Sequence, residues 1–408
     1  MSWEIFAALV FALPGWRFFL LVLAATPLAY YIAATFAAWR FFSRERARAF
    51  PPYTPAASLL KPVHGVDFAS YENFASFCTQ DYPAEYEILF GVGDPADSAV
   101  PLIQRLIAEF PQRSIRLFVG AERIGANRKV NMLARLAHEA RHKILVLTDG
   151  DIRVNRNYLR EVIAPLADQE VGAVTSFYRG VAEKNLGAAL EDIGVASEFF
   201  AGVLMANWME GMTFGLGASI VTTKEWVAKI GGFAAIADML ADDYELGNRI
   251  AKAGGKILLS REVVATMYPA QRPRSFWRHQ VRWSRTVRLS RPLSFLGLIF
   301  THGLPWALLA ALIAPISWIG AAYLVAYLVL RLTMAWTVGV WGVRDDVVRR
   351  KLWLVPLRDA IYFVVWLASF ASNRIHWGGD EYLMRRGRLI PTMVSESPDQ
   401  GAASEVRR

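Results

Sequence analysis

Cysteine is almost absent from this chain. The single one, Cys78, excludes an internal disulfide and a cysteine-ligated metal cluster. It reads as a small buried hydrophobe. Self-similarity at a solenoid period is lacking, which excludes a repeat array. Acidic residues are in deficit: 36 Asp and Glu stand against 45 Lys and Arg, a formal net charge of +9. Such a balance would suit nucleic acid, but the arginines lie beside apolar segments. That placement fits anionic lipid headgroups and the cytoplasmic flanks of membrane helices, so no nucleic-acid partner is expected. Long apolar runs are missing from the middle of the chain and crowd its two ends, bringing the hydrophobic content to 54%. With 408 residues there is room for one large domain or two. The pattern is that of a membrane protein with a soluble middle.

Phe18 to Trp39 is apolar and long enough to span a bilayer. Arg40, Arg44, Arg46 and Arg48 follow it, which puts this side in the cytoplasm and argues against a cleaved signal peptide. From Leu293 to Val343 nearly everything is apolar apart from Arg331, enough for two spans split near residues 315–320. A basic loop with Arg344, Arg349, Arg350 and Lys351 leads to a further apolar segment, Leu354 to Ser372. That segment contains Arg358 and Asp359, so it spans, re-enters or lies at the interface. The expected organisation is a membrane anchor over 1–50, a cytoplasmic domain over 51–291, a transmembrane region over 292–390 and a disordered tail over 391–408.

In the soluble part, short apolar runs alternate with helical stretches. Strands are expected at Ala56–Leu60, Glu87–Val92, Ile115–Val119 and Ile144–Leu147. Strand-like runs follow at Val171–Phe177, Phe214–Val221, Lys256–Leu259 and Val263–Met267. The alternation implies an α/β, doubly wound, Rossmann-like nucleotide fold. The fourth strand ends in Thr148-Asp149-Gly150-Asp151. In open α/β sheets, ligands sit at the carboxyl ends of strands. Two carboxylates around one glycine suit Mg2+ or Mn2+ carrying a diphosphate, whereas alone they make an ordinary turn. The loop from Gly125 to Asn131, with Lys129, opens a helix and suits phosphate, or is a plain N-cap with a surface lysine. Asp242 and Asp243 head another helix, where Asp242 is a reasonable N-cap. Ala188 to Met209 is long and helical, with Phe199, Phe200, Leu204, Met205 and Trp208 forming an apolar face. The stretch from Arg272 to Arg288 mixes arginines and aromatics at helical spacing, as an interfacial helix would.

Taken together, the ordered set resembles the membrane-bound inverting glycosyltransferases of the GT-A fold, and among them the ceramide glucosyltransferase family, family 21. That family is marked by three spaced aspartate motifs and a final (Gln/Arg)-x-x-Arg-Trp. Asp94 in Gly-Val-Gly-Asp matches the first, Asp149 the second and Asp243 in Asp-Asp-Tyr the third. Leu60-Lys61-Pro62, Gly65-Val66-Asp67 and the loop with Asn127, Lys129 and Asn131 are similar to the family as well. The resemblance runs from about residue 20 to 390. Two departures stand out. His279 occupies the place of Gln or Arg ahead of Arg282-Trp283, and no histidine falls between His142 and His279. The second departure resembles the bacterial branch, which also holds hopanoid-modifying enzymes.

The resemblance implies transfer of a hexose, glucose from UDP-glucose, onto the hydroxyl of a ceramide-type lipid at the bacterial inner membrane, with the domain cytoplasmic. It implies Asp151 as metal ligand and Asp149 on the ribose or sharing the ion. Asp94 would hold the uridine, with Lys61, Lys129, Asn131 and His279 also at the donor. Asp243 would be the general base with Asp242 as backup, Arg282 would pair with the diphosphate, and Trp283 would wall the sugar pocket. The competing readings are a hopanoid acceptor with a UDP-N-acetylglucosamine donor, a processive polysaccharide synthase of family 2, and a non-catalytic membrane scaffold.

Overall fold

The computed structural model describes residues 14–67, 69–182, 185–377 and 380–392. The expected tail falls, from 393 onward, outside the described residues. Eight strands form one sheet: β1 (Ala57–Val63), β2 (Tyr86–Val92), β3 (Ser114–Val119), β4 (Ile144–Thr148), β5 (Ile152–Arg153), β6 (Val171–Ala182), β7 (Ser219–Thr223) and β8 (Lys256–Tyr268). Their order is β3-β2-β1-β4-β7-β6-β8-β5. β1 runs parallel to both β2 and β4, and β2 parallel to β3. β1, β2 and β4 are buried almost throughout and read as apolar runs, whereas β3, at the edge of the sheet, is half-buried. Beyond β4 the sheet turns mixed, because β7 runs antiparallel to β4 and to β6. The strand order reverses between β1 and β4, and a ligand crevice opens at such a switch point.

Two strand expectations change. Residues 214–218 are not strand; they form a loop that packs on the helix Asp242–Lys252 before β7 begins. The two short runs over 256–267 are one strand, β8, whose pairing with β6 slips between Ser176 and Phe177. Cys78 is buried, as its isolation suggested.

The helices Gly15–Ala24 and Thr26–Ala47 form a rod apolar enough to cross a membrane; so do Ser317–Gly342 and Asp346–Ser369. Pro292–Thr301 and Gly303–Ile313 pass the same test together, bent by 48°. The bend has a local cause. The Tyr31 hydroxyl lies between the two pieces, donating to Thr301 O at 3.1 Å and accepting from Gly303 N at 2.9 Å. It takes up backbone groups freed by the break. A side chain on Gly303 would start 2.4 Å from that hydroxyl. The charges inside these apolar segments turn inward and pair, as intramembrane charges must. Arg331 Nη2 donates to Asp359 Oδ1 at 2.9 Å, Tyr327 donates to Asp359 Oδ2 at 2.9 Å, and Arg331 Nη1 reaches Ser197 O at 3.3 Å. This network ties the membrane helices to the helix spanning 186–209.

One element was not foreseen. Arg374–Trp377, Asp380–Arg385 and Arg388–Pro391 form a three-stranded antiparallel sheet. It returns from the membrane helices to the catalytic-side loops. Leu389 N donates to Asp238 O at 2.7 Å, and Arg128 Nη2 to Asp380 Oδ2 at 2.5 Å.

Candidate active site

The sequence places Asp149 where β4 runs out, at the switch point. Below it, Lys61 is fully buried on β1. Its Nζ donates to Thr148 Oγ1 at 3.1 Å and to Asp149 O at 2.9 Å, over the Phe77 ring at 3.9 Å. Burial pulls this ammonium down to about 7, against the opposing pull of Asp151 and Asp149. Lys61 is therefore a strut beneath the aspartates; its amine is consumed by β4 and faces away from the crevice that a donor would fill.

Lys129, from the first turn of the helix Arg128–Glu139, closes the site from the other side. Its Nζ lies 2.6 Å from Asp149 Oδ1 and 3.2 Å from Asp242 Oδ2. Burial works against its charge, but Asp149, Asp242 and Asp243 together hold the ammonium above its usual range. One lysine thus joins the end of β4 to the head of the helix Asp242–Lys252. Asn131 does not reach outward. Its Oδ1 accepts from Gly125 N at 3.1 Å and its Nδ2 donates to Gly125 O at 3.0 Å, which folds the Gly125–Asn131 loop. Asn127 caps the helix through Val130 N at 3.2 Å. The amides of Gly125, Ala126 and Asn127 are spent on the loop's own shape and on Ala237 and Asp238, so Lys129 is the side chain it delivers.

The two candidate carboxylate pairs are electrostatically unequal. Asp149 and Asp242 share Lys129. Among the described residues Asp151 has one side-chain hydrogen-bond partner, the Thr266 hydroxyl, at 2.8 Å from its Oδ2, with the Lys61 charge also in its favour. Burial, then repulsion from Asp149, raises Asp151 to about 6. Asp243 is likewise raised to about 6 by burial, then by Asp242. Its Oδ2 looks across at Gly217, where a Cβ would sit 3.0 Å away. Gly217 and Gly215, which lies against Asp243 O at 2.8 Å by the same measure, let the 214–218 loop back onto the helix head.

Among the described residues, no three His, Cys, Asp or Glu side chains gather to hold a metal ion. The Asp149–Asp151 pair nevertheless fits a divalent cation of the kind completed by substrate oxygens. It offers two hard carboxylates to the cavity, and Lys129 contacts Asp149 alone of the two.

Asp94, Asp149, Asp151, Asp242 and Asp243 all line one cavity of about 1640 Å³. Asp94 is at an exposed rim, where its Oδ1 accepts from Ala96 N at 2.7 Å. The helix Pro273–Ser290 supplies the opposite wall. Arg282 faces the cavity and makes no side-chain hydrogen bond among the described residues; burial lowers its pKa, with Glu191 opposing. Trp283 packs 6.3 Å from Phe199 and 5.5 Å from His279, ring to ring. His279 Nδ1 lies 2.9 Å from Glu191 Oε1, and Gln271 binds the other oxygen of Glu191. Glu191 was missed because it sits in a mostly apolar helix beside a second acid, Asp192; an acidic pair at positions that the helix buries was the available signal.

The helix over 186–209 presents Gly194, Val195, Glu198, Phe199, Gly202 and Val203 to the same cavity. Phe200 and Leu204, expected on that face, are not there. They are 0% and 1% exposed, and Phe200 packs 4.7 Å from Phe177 and 5.0 Å from Tyr178. These two are core. Past this helix the cavity continues among Tyr30, Arg358 and Tyr362 of the membrane helices. A single space thus joins the aspartates to the apolar half of the molecule.

The curated relatives include ceramide glucosyltransferase 3 of Caenorhabditis elegans, 28% identical over 207 residues, which are 50% of this chain and 45% of that protein. Ceramide glucosyltransferase 1 of the same animal is 24% identical over 233 residues, 57% of this chain and 50% of that protein. The chain spans about half the length of the curated relatives it matches. Among solved structures, a mannosyltransferase from Pyrobaculum calidifontis in complex with GDP-Man and Mn2+ superposes with a TM-score of 0.50 at 19% identity, over 85% of this chain and 99% of that one. At that identity the likeness concerns the fold, and the fold is GT-A. The family model described as glycosyl transferase family 21 matches residues 19–390, the aspartate motifs and the Arg282-Trp283 pair included. With that match across most of its length, the chain belongs to glycosyltransferase family 21.

Proposed function

We propose that the protein is a membrane-bound inverting glycosyltransferase that moves a hexose, glucose from UDP-glucose, onto a hydroxyl of a membrane lipid of the ceramide type. The observation that carries this reading is the continuous cavity, which has five aspartates at one end and membrane helices at the other. A polymerase would need a channel for its product. A scaffold would have no use for two half-buried, underpaired carboxylates.

Asp94 at the rim holds the uridine. Asp149 and Asp151 would hold Mg2+ or Mn2+ with the diphosphate. When bound, such an ion supplies positive charge to the leaving diphosphate. Lys129 keeps Asp149 oriented and adds its own charge. Arg282, without another partner in the described structure, pairs with the diphosphate as the C1–O bond to it breaks. His279 is held off by Glu191, so it orients Trp283, which walls the sugar. The acceptor hydroxyl attacks C1 from the opposite face, and its proton passes to Asp243. Asp243 suits this role better than Asp242, because Asp242 is occupied as a counter-charge for Lys129. With arginines flanking both membrane junctions, the domain over 51–291 faces the cytoplasm of a bacterial inner membrane, where nucleotide sugars reside.

Mass spectrometry of lipids from cells with and without the protein tests the reading. A new hexosyl lipid dependent on Asp243 is expected. A polysaccharide product would replace it with the synthase reading, and failure to bind UDP with the scaffold reading.

A further inference from the structure

The membrane-side part of the cavity is not simply apolar. Arg358, 4% exposed, lines it. Its Nη2 donates to Gln280 Oε1 at 2.9 Å, but its Nε and Nη1 are buried without a hydrogen-bond partner among the described residues. Glu198 Oε2 stands 3.8 Å from Arg358 Nη2, too far for a hydrogen bond, and is also buried and unsatisfied. Ser284 Oγ, one turn beyond Gln280 on the same helix, is buried and unsatisfied too, as is Nε2 of the neighbouring His302. All four residues line the cavity.

Buried polar groups are nearly always paired, and each one left open carries a desolvation cost. Several open groups facing one cavity mark a place where a ligand supplies the missing partners. The backbone is shaped for it. Arg358 lies so close to Gly194 that a Cβ there would start 2.2 Å from its Nε. Immediately after Gly194 the helix loosens into a π-turn over Val195–Phe199, which carries Glu198. Such turns commonly mark functional sites. Burial lifts the Glu198 carboxyl to about 8 although Arg358 opposes it, which is the behaviour of a carboxyl short of donors.

We infer that Glu198 and Arg358, with Ser284 and His302 beside them, form a subsite that recognises an amide in the head region of the lipid acceptor. The chemistry selects this class. The open groups are a carboxyl oxygen and guanidinium N–H groups side by side, so the complement presents a donor and an acceptor on adjacent atoms. An amide N–H meets Glu198 and its C=O meets Arg358. An anionic headgroup would bring no donor to Glu198 Oε2, and a bare hydrocarbon would leave every group open. This inference rests on the lipid-acceptor reading above and adds to it the residues that sort one lipid from another.

The test uses the full chain in nanodiscs, with UDP-glucose and two matched acceptors: an N-stearoyl amino diol and the O-stearoyl ester in which the amide N–H is replaced by oxygen. The wild type is expected to favour the amide about tenfold in kcat/KM, by the cost of leaving a buried acceptor unpaired. Glu198→Ala, which removes the acceptor, should compress that ratio about tenfold, with the Kd for UDP unchanged as the check on folding. Equal use of both acceptors by the wild type would overturn the subsite and leave the lipid reading intact. Equal losses on both acceptors in Glu198→Ala would show a structural role and overturn it as well. Wild type that binds UDP and glycosylates neither lipid would overturn the lipid reading and the subsite with it.

Discussion

Asp243→Asn separates catalysis from stability. The carboxyl is half-buried at the head of the helix Asp242–Lys252, beside Asp242, and stands at about 6 against the usual 3.8. Between those two values the folded protein binds a proton that the unfolded chain does not. Stability therefore falls as pH rises through this window, and the loss is complete above about 6. At neutral pH the ionised carboxyl is a burden on the fold. Converted directly, the shift corresponds to about 3 kcal/mol; the open cavity beside the group reduces it, so about 1–3 kcal/mol is expected. The asparagine keeps the shape and loses the charge. The variant should melt a few degrees higher at pH 7.5, and the difference should vanish near pH 4. As the base is gone, kcat should fall about 100-fold or more while the Kd for UDP holds. In the wild type the acid limb of kcat should lie near 6, above the ordinary carboxylate range. Thermal unfolding at the two pH values, alongside steady-state turnover, reads all of this. A variant that turns over normally would refute the role. So would one crippled only by Asp242→Asn, which would move the base by one residue and make Asp243 the counter-charge.

Three further outcomes are expected. Asp151→Asn should abolish transfer and remove the metal dependence of UDP binding without unfolding the protein; calorimetry with and without Mn2+ shows this, and unchanged turnover would eliminate Asp151 as ligand. A reporter inserted in the 168–170 loop should behave as cytoplasmic, and periplasmic labelling there would overturn the orientation and access to cytosolic donor with it. Gly202→Leu, which builds into the cavity from the helix over 186–209, should raise the KM for a long-chain lipid several-fold and spare UDP binding, whereas Phe200→Asp should aggregate, since it buries a charge in the core.

The first half of the sheet was legible because β1, β2 and β4 are buried on both faces and end in polar loops. A run such as Ile144–Thr148 can hardly be anything else, and Asp149 follows from it. Where the sheet turns mixed, legibility falls. Residues 214–218 carry the composition of a strand, but Gly215 and Gly217 serve close contact with Asp243 and not a ladder. Lys61 and Asn131 were recognisable as belonging to the site, though not in which direction they point. A lysine at a strand end reads as a phosphate ligand until the register puts Thr148 and Asp149 O within its reach. The sheet formed by Arg374–Pro391 gave no warning, since short amphipathic strands after a membrane helix look like linker.

The helix over 186–209 shows why a lipid path is harder to find than an aspartate. On a helix at a water boundary, the polar face identifies the apolar one. This helix meets the sheet on one side and the cavity on the other, and both sides hold apolar residues. Large aromatics lie on each: Phe200 against Phe177 and Tyr178, Phe199 against Trp283. Hydrophobicity cannot separate them. What separates them is size and polarity out of place. The cavity face has Gly194 and Gly202, where nothing need fill space, and Glu191 and Glu198, which an apolar core would reject. The spacing of those four residues at 191, 194, 198 and 202 is helical, and it runs from His279 at the donor end to Arg358 among the membrane helices. Asp192, buried like Glu191, points the other way, toward Gly180 and Asp345, so it is the helical spacing of the four, and not acidity alone, that marks the cavity face.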